Sequence, residues 1–432
     1  MNWQHSDIAS AVSVLESGSR PKGGATVESG EIPSLGGENI LKHGGVTLEE
    51  VKRVPRKFFE RMTKGHLKNA DVLINKDGAQ TGKVGFYKNN NGAEACINEH
   101  LFLIRGDTKK ITQSYLYYSL LSQACQNQIE AQISGSAQPG LKSDFLKGVF
   151  ARIPEALPEQ SKITEVLFKV DQAIEQTEYL IAKQQRIKTG LMQDLLTRGI
   201  DEHGNLRSEE THEFKDSPMG RIPVEWEIKR LEEMAEKIVD GVHHTPTYVD
   251  HGMPFLVITD LTAGPGISFE NTRYITAADH RTFSARANPA AGDVLVTKDG
   301  TLGVARVVKS EYPEFSIFVS LAMIRPRKDY CLPELICFFF DSGEFLIQLG
   351  ALSAGTGLSH IHLEHFRKFQ LRRPPLEEQK IIIDIIKQQE LSLTDCHNDL
   401  IKLKRLKNAM MQDLLTGKKR VTPLMENMEV CS

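Results

Sequence analysis

Met192-Gln193-Asp194-Leu195-Leu196-Thr197 and Met411-Gln412-Asp413-Leu414-Leu415-Thr416 are the same six residues, the second set standing 219 positions after the first. The same offset carries Glu159-Gln160 onto Glu378-Gln379, so the two copies run together for roughly forty residues without a gap. Upstream of the first hexamer, apolar residues recur at alternating steps of four and three: Ile163, Leu167, Val170, Ile174, Ile181, Leu191 and, within it, Leu195. Thr177, Gln184 and Lys188 fill the remaining positions of the stripe. The offset places Ile382, Ile386, Gln389, Leu393, Cys396, Leu400, Leu403, Lys407, Met410 and Leu414 on the second copy. A heptad stripe held this long marks the seam of a coiled coil. Pro158 suits a first helical turn, where a missing N–H does no harm. Gly199 and Gly417 follow the two hexamers, where a left-handed cap residue is expected.

Connectivity then predicts geometry. A helix of about forty residues is about 60 Å long. The first globular region feeds the start of the first helix, and the second region is fed from its end. A second helix that packs on the first must run back toward the first region. The expectation is an antiparallel helix pair with a globular domain at each end, a pseudo-two-fold object resembling a homodimer written in one chain.

At 432 residues the chain is too long for one core. Charged residues at 25% and apolar residues at 40% suit a water-soluble protein, and a net charge of −3 excludes a uniformly basic nucleic-acid binder without excluding local basic patches. The N-terminus lacks the basic-then-apolar layout of a signal peptide. No apolar run reaches the length of a membrane span. Six cysteines without a C-x-x-C pair point to reduced thiols and a cytoplasmic setting.

The repeat continues, more weakly, outside the helices. Asp71-Val-Leu-Ile-Asn-Lys76-Asp77-Gly78 matches Asp293-Val-Leu-Val-Thr-Lys298-Asp299-Gly300. Both read as an apolar strand followed by a turn. The loop Gly135-Ser136-Ala-Gln138-Pro-Gly-Leu141 sits where Gly355-Thr356-Gly-Leu-Ser359-His360-Ile361 sits in the other half. The two domains therefore share a scaffold of short strands, while their loops differ almost throughout. That is expected where one framework carries two different surfaces. Residues 198–223 read as an exposed connector, poor in apolar side chains.

These features together resemble the specificity subunit of type I restriction–modification systems, over essentially the whole chain. The residues that carry the resemblance are Phe214-Lys-Asp-Ser-Pro-Met-Gly-Arg-Ile-Pro-Val-Glu-Trp226, the two Lys-Asp-Gly turns, Leu-Pro-Glu-Gln160 and Leu-Glu-Glu-Gln379, and the helix ending Gly190-Leu-Met-Gln-Asp-Leu-Leu-Thr197. The first half lacks such a Trp-containing opening motif, although Trp3 is placed to stand in for Trp226. The resemblance implies an α+β fold with two similar mixed α/β target-recognition domains, each for half of a bipartite double-stranded DNA sequence. Residues 1–156 and 224–374 are the expected domains. Residues 157–198 and 375–417 are the conserved long helices, 199–223 the connector and 418–432 a tail. It also implies two methyltransferase subunits docked on the helices, restriction subunits recruited through that complex, no cofactor and no catalysis by this chain.

Candidate DNA contacts follow from donors near glycine turns. In the first half they are Lys76, Gln80, Lys83, Ser136, Gln138 and Lys142; in the second, Lys298, Thr301, Arg306, Thr356, Ser359 and His360. A basic stretch, Lys52, Arg53, Arg56, Lys57, Arg61, Lys64 and Lys68, has Glu60 as its only acid and would neutralise phosphates or form a solvated face. His360, His362 and His365 lack a cysteine to complete a zinc set, so no metal is expected. Gly78-x-x-x-Gly82-Lys83-Val84 is one residue short of a phosphate loop and lacks its hydroxyl. No nucleophile–base–acid set stands out. Beside the DNA-binding reading stands a coiled-coil adaptor whose end domains bind proteins; a nuclease fits worst.

Overall fold

The structure is a computed structural model that describes residues 2–27, 30–89, 91–135, 139–353 and 359–429. The chain divides into two compact units, residues 1–178 with 398–432, and residues 179–397. The two long helices are Leu157–Thr197 and Leu376–Leu415. The boundary between units falls inside both, so each unit holds half of each helix.

The globular parts repeat one topology. In the first unit a four-stranded antiparallel sheet runs in the order Val12–Ser17, Leu101–Gly106, Asp71–Asn75, Val84–Tyr87. In the second it runs Ala235–Asp240, Leu321–Pro326, Val294–Thr297, Ala305–Val307. Even the irregularity recurs, with a register shift between Val12 and Val14 and between Ala235 and Lys237. The strand cores are near-continuous apolar runs because both faces are covered. Helices Gln113–Leu121 and Pro333–Phe340 supply side chains to the covering core, among them Tyr115, Tyr118, Phe339 and Phe340. A smaller sheet in each unit contains one parallel pair, Ile32–Leu35 with Cys96–Ile97 and Met253–Leu256 with Ser316–Ile317.

Both central sheets carry the same buried ion pair. Asp71 opens its strand and is gripped by Arg105 through Nε and Nη2, each at 2.7 Å. Asp293 is gripped by Arg325 at 2.8 and 2.7 Å. A bidentate fork satisfies a desolvated carboxylate, which explains why Asp stands at the start of one strand and immediately before the other.

The helix pairing is antiparallel within each unit. In the first, Asp171 meets Lys407 at 2.7 Å and Glu178 meets Lys404 at 2.8 Å, while Ile163 and Leu167 share a core with Met411, Leu414 and Leu415. In the second, Gln184 meets Gln389 and Lys188 meets Glu390, while Met192 and Leu195 share a core with Ile382, Ile383 and Ile386. Of the stripe residues, Ile163, Leu167, Ile174, Leu195, Ile382, Ile386 and Leu414 are buried. Val170, Ile181, Leu191, Leu393, Leu400, Leu403 and Met410 are half-buried. None faces open solvent, as a heptad stripe requires.

The motifs at the helix starts turn out to be fastenings. Gln160 donates to the carbonyls of Lys110 and Pro154, both at 2.8 Å, and accepts from the N–H of Thr112 at 2.8 Å. Gln379 does the same for the carbonyls of Tyr330 and Pro374 and the N–H of Leu332. Glu378 accepts from Arg207, from the indole N–H of Trp226 at 2.9 Å and from the N–H of Ile200 at 3.0 Å. Glu159 holds Arg420 through two oxygens at 2.6 and 2.9 Å, and that guanidinium lies 5.4 Å from the Trp3 ring. Trp3 thus occupies the place in the first unit that Trp226 has in the second. Gly199 adopts a φ of 64°, and a Cβ there would come within 2.1 Å of Glu378, so the chain needs glycine to leave the helix beside this clasp.

The stretch 199–223 is mostly exposed but is held down by a few anchors. Ile200, Arg207 and Ile222 are buried, and Phe214–Lys215 pairs with Ile222–Pro223. Its composition is polar because a few anchors, rather than a continuous apolar face, hold it down. The tail behaves alike, with Val421 buried in the core of the first unit.

Candidate nucleic-acid interface

In each unit the Lys-Asp-Gly turn pairs with the described residues at the end of the loop that was matched between the two halves. The N–H of Gly78 donates to Pro139 at 3.0 Å and that of Leu141 to Lys76 at 2.8 Å. The N–H of Gly300 donates to Ser359 at 3.1 Å and that of Ile361 to Lys298 at 2.8 Å. Two sets of candidates, separated by roughly sixty residues in the chain, become one surface in each unit. Backbone pairing does this, so the side chains at the tip are free to differ.

They do differ. In the first unit the Lys76 amine reaches the carbonyl of Glu99 at 3.4 Å and lies 5.6 Å from the Phe102 ring centre. Gln80 is exposed and accepts from Lys83 at 2.8 Å. Burial, then the nearby Lys42, lowers the Lys83 amine from its ordinary range. Lys142 is exposed. Ser136 and Gln138 lie outside the described residues, as does Thr356. In the second unit Thr301 and Ser359 are exposed, and His360 is bound to Asp299. Arg306 is turned inward, donating to the carbonyls of Gly264 and Ala305 at 2.8 and 2.9 Å. Lys298 is only 3% exposed and sits 3.4 Å from Asp240. Burial beside a counter-charge takes Lys298 out of reach of a phosphate, so it and Arg306 fit a supporting role better than the contact role expected of them.

The sequence reading missed the group that Lys298 supports. Asp240 ends its strand with Arg286 and His243 on one oxygen and Lys298 on the other. Arg286 comes from 46 residues away, which no local spacing could signal. One buried carboxylate faces two permanent cations and a histidine, while Arg286 and His243 are open to solvent. The surplus positive charge suits an anionic ligand. Burial opposes the charge on Asp240, but Arg286, His243 and Lys298 outweigh it and hold the carboxyl below its ordinary range. A depressed carboxyl contributes stability above its unfolded pKa of about 3.9 and loses it as pH falls through the folded value. The second unit should therefore loosen in acid below about pH 4. An Asp240→Asn variant should be less stable at neutral pH and show a shallower acid transition, read by thermal unfolding across pH.

In the first unit the basic stretch runs through strand Arg53–Val54 and helix Arg56–Arg61 and beyond. Phe59 turns into a small core with Ile32, Val54 and Cys96. Lys52 and Arg56 are spent on Glu38 and Glu94 at 2.9 and 2.8 Å. Lys57, Arg61, Lys64 and Lys68 are exposed, with no carboxylate within 4.0 Å among the described residues.

His360, His362 and His365 stack edge to edge, with ring centres 4.5 and 5.6 Å apart, but no three metal-ligating side chains converge among the described residues. Among the same residues no single helix is long and apolar enough to cross a membrane.

Comparison with known proteins gives this arrangement its class. The profile of the type I restriction modification DNA specificity domain matches twice, over residues 2–184 and 223–405. The type I restriction enzyme MjaVIII specificity subunit of Methanocaldococcus jannaschii is 22% identical over 359 residues, covering 82% of this chain and 80% of that one. The crystal structure of the type I restriction–modification S subunit from M. genitalium superposes with a TM-score of 0.58 at 16% identity, covering 96% of each chain. A chain from a structure that addresses complex assembly and conformational transition of the type I system also gives 0.58, at 17% identity, covering 96% of this chain and 98% of that one. The chain belongs to the type I restriction–modification specificity family, the non-catalytic subunits that give such enzymes their DNA recognition.

Proposed function

We propose that each unit binds one half of a bipartite double-stranded DNA target, and that the paired helices dock two methyltransferase subunits and, through them, restriction subunits. The observation that carries the DNA reading is the docked turn. Both units build the same backbone platform from the same strands, and each arms it with different donors. In the first unit these are Lys76, Gln80, Lys83 and Lys142, and the same unit also exposes Lys57, Arg61, Lys64 and Lys68. In the second they are Thr301, Ser359 and His360, flanked by Arg286 and His243. A shared platform with unlike tips suits two unlike half-sites. The docking reading is supported by apolar side chains on the helix faces away from the seam. Tyr179 is 69% exposed and Leu391 58%, with Leu180, Ile187, Ile401 and Leu406 also open to solvent. Large exposed apolar side chains on a helix suit a protein partner.

The test is to exchange residues 1–156 for the same region of a relative, co-express the product with its methyltransferase, and map methylated bases. One half of the methylated sequence should change while the other stays. A change in both halves refutes independent reading. In the same preparation, log affinity for DNA should fall linearly with log salt, and Arg286→Ala should reduce that slope by about 1. A flat salt response would favour a protein-binding adaptor.

A further inference from the structure

The two long helices carry nearly the same seam, which creates a pairing problem. The first helix could pair with the first helix of a second copy of the chain, and the second with the second. Most of the seam would accept this. Ile163 aligns with Ile382, Leu167 with Ile386, Ile174 with Leu393, Leu191 with Met410 and Leu195 with Leu414 under the 219-residue offset. The charges would accept it too. Asp171 pairs with Lys407 at 2.7 Å in one unit and Glu390 with Lys188 at 2.8 Å in the other, and these are the same two positions in the repeat. A mispaired first helix would bring Asp171 to the second copy's Lys188, and the ion pair would survive.

Only two aligned seam positions change between a large apolar side chain and an amide: Val170 against Gln389, and Gln184 against Leu403. In the second unit the two amides find each other, with Gln389 Nε2 donating to Gln184 Oε1 at 2.7 Å and to the Gln184 carbonyl at 3.3 Å. Their counterparts, Val170 and Leu403, are both half-buried in the first unit. Within one chain, amide therefore meets amide, and the repeat puts Val170 and Leu403 at the equivalent layer. Mispairing would set Gln184 against Val170 of the second copy, and Gln389 against Leu403, leaving a desolvated amide in every such layer.

We propose that the Gln184–Gln389 pair selects pairing of the two helices within one chain over exchange with a second copy. A polar pair at one seam position fixes register and partner because the mixed pair is the costly one. The proposal is independent of what the two units bind.

Three full-length variants test it. Gln184→Leu with Gln389→Val makes both layers apolar. Val170→Gln with Leu403→Gln makes both layers amide. Combining all four substitutions moves the amide pair to the other layer. Each is refolded from denaturant over a range of chain concentrations, and the dimer share is measured by sedimentation velocity. The all-apolar and all-amide variants, chemically opposite, should both raise the dimer share by at least about tenfold, the effect that a single unpaired amide at a half-buried layer already gives. The fourfold variant should stay at the wild-type share, because mismatch on exchange is restored. If the all-amide variant does not fold, the contrast between the all-apolar and fourfold variants still decides. A wild-type dimer share in the all-apolar variant overturns the proposal, and so does an equal rise in the fourfold variant.

Discussion

Replacing Glu378 with alanine should unfold the second unit at a clearly lower denaturant concentration. Its carboxylate is 8% exposed and neutralises Arg207, which is 9% exposed, while also accepting from Trp226 and Ile200. Without it, a buried guanidinium keeps its charge and loses its counter-ion. Breaking one side of a buried pair typically costs about 3–5 kcal/mol, more than the pair itself contributes, because the remaining ion stays desolvated. The readout is built in, since the chain has two tryptophans, and Trp226 is fully buried against this carboxylate. Glu159→Ala should weaken the first unit by less, because the Arg420 side chain is 34% exposed and water can take over part of its solvation. An unfolding midpoint for Glu378→Ala that matches wild type would mean that the clasp does not hold the second unit together.

Ile174→Glu should weaken the helix pairing strongly. Ile174 is 4% exposed, and Asp171 and Glu178 stand three and four residues from it on the same helix face. A glutamate there would be buried beside two carboxylates whose lysines, Lys407 and Lys404, are already paired, a combination worth roughly 3 kcal/mol or more. For a unit of this size that corresponds to a fall of about 6–12 °C in Tm, measurable by circular dichroism. Leu393→Glu, at the aligned but half-buried position, should cost less because the new charge can reach water. Equal and negligible effects at both sites would remove these residues from the seam.

Both predictions rest on features of different legibility. Ile174 was visible in the sequence, since heptad spacing is a local property and the offset from Ile174 to Leu393 supplies a second copy as a check. The role of Glu378 was half visible. Its place at a helix start beside Gln379 stood out as a motif, but Arg207 lies 171 residues away and no spacing links them. In the first unit the corresponding guanidinium is Arg420 and the corresponding ring Trp3, at opposite ends of the chain. A fixed offset between halves cannot find a clasp whose parts come from both ends.

The candidate interface divides the same way. Lys76-Asp77-Gly78 and Lys298-Asp299-Gly300 read identically as strings, and both turns fold alike. Yet Lys76 is half-buried at the edge of its surface, whereas Lys298 is sealed beside Asp240. The sequence by itself determined the duplication, the two seam-bearing helices, the strand-and-turn scaffold and the family, because all of these are written in periodicity and in ordered short motifs. Only the tertiary structure decided which charges are spent on one another and which are left to meet a ligand. A charge is neutralised by whatever folds across from it, and for Asp240 and Arg286, as for Glu378 and Arg207, that neighbour comes from a distant part of the chain.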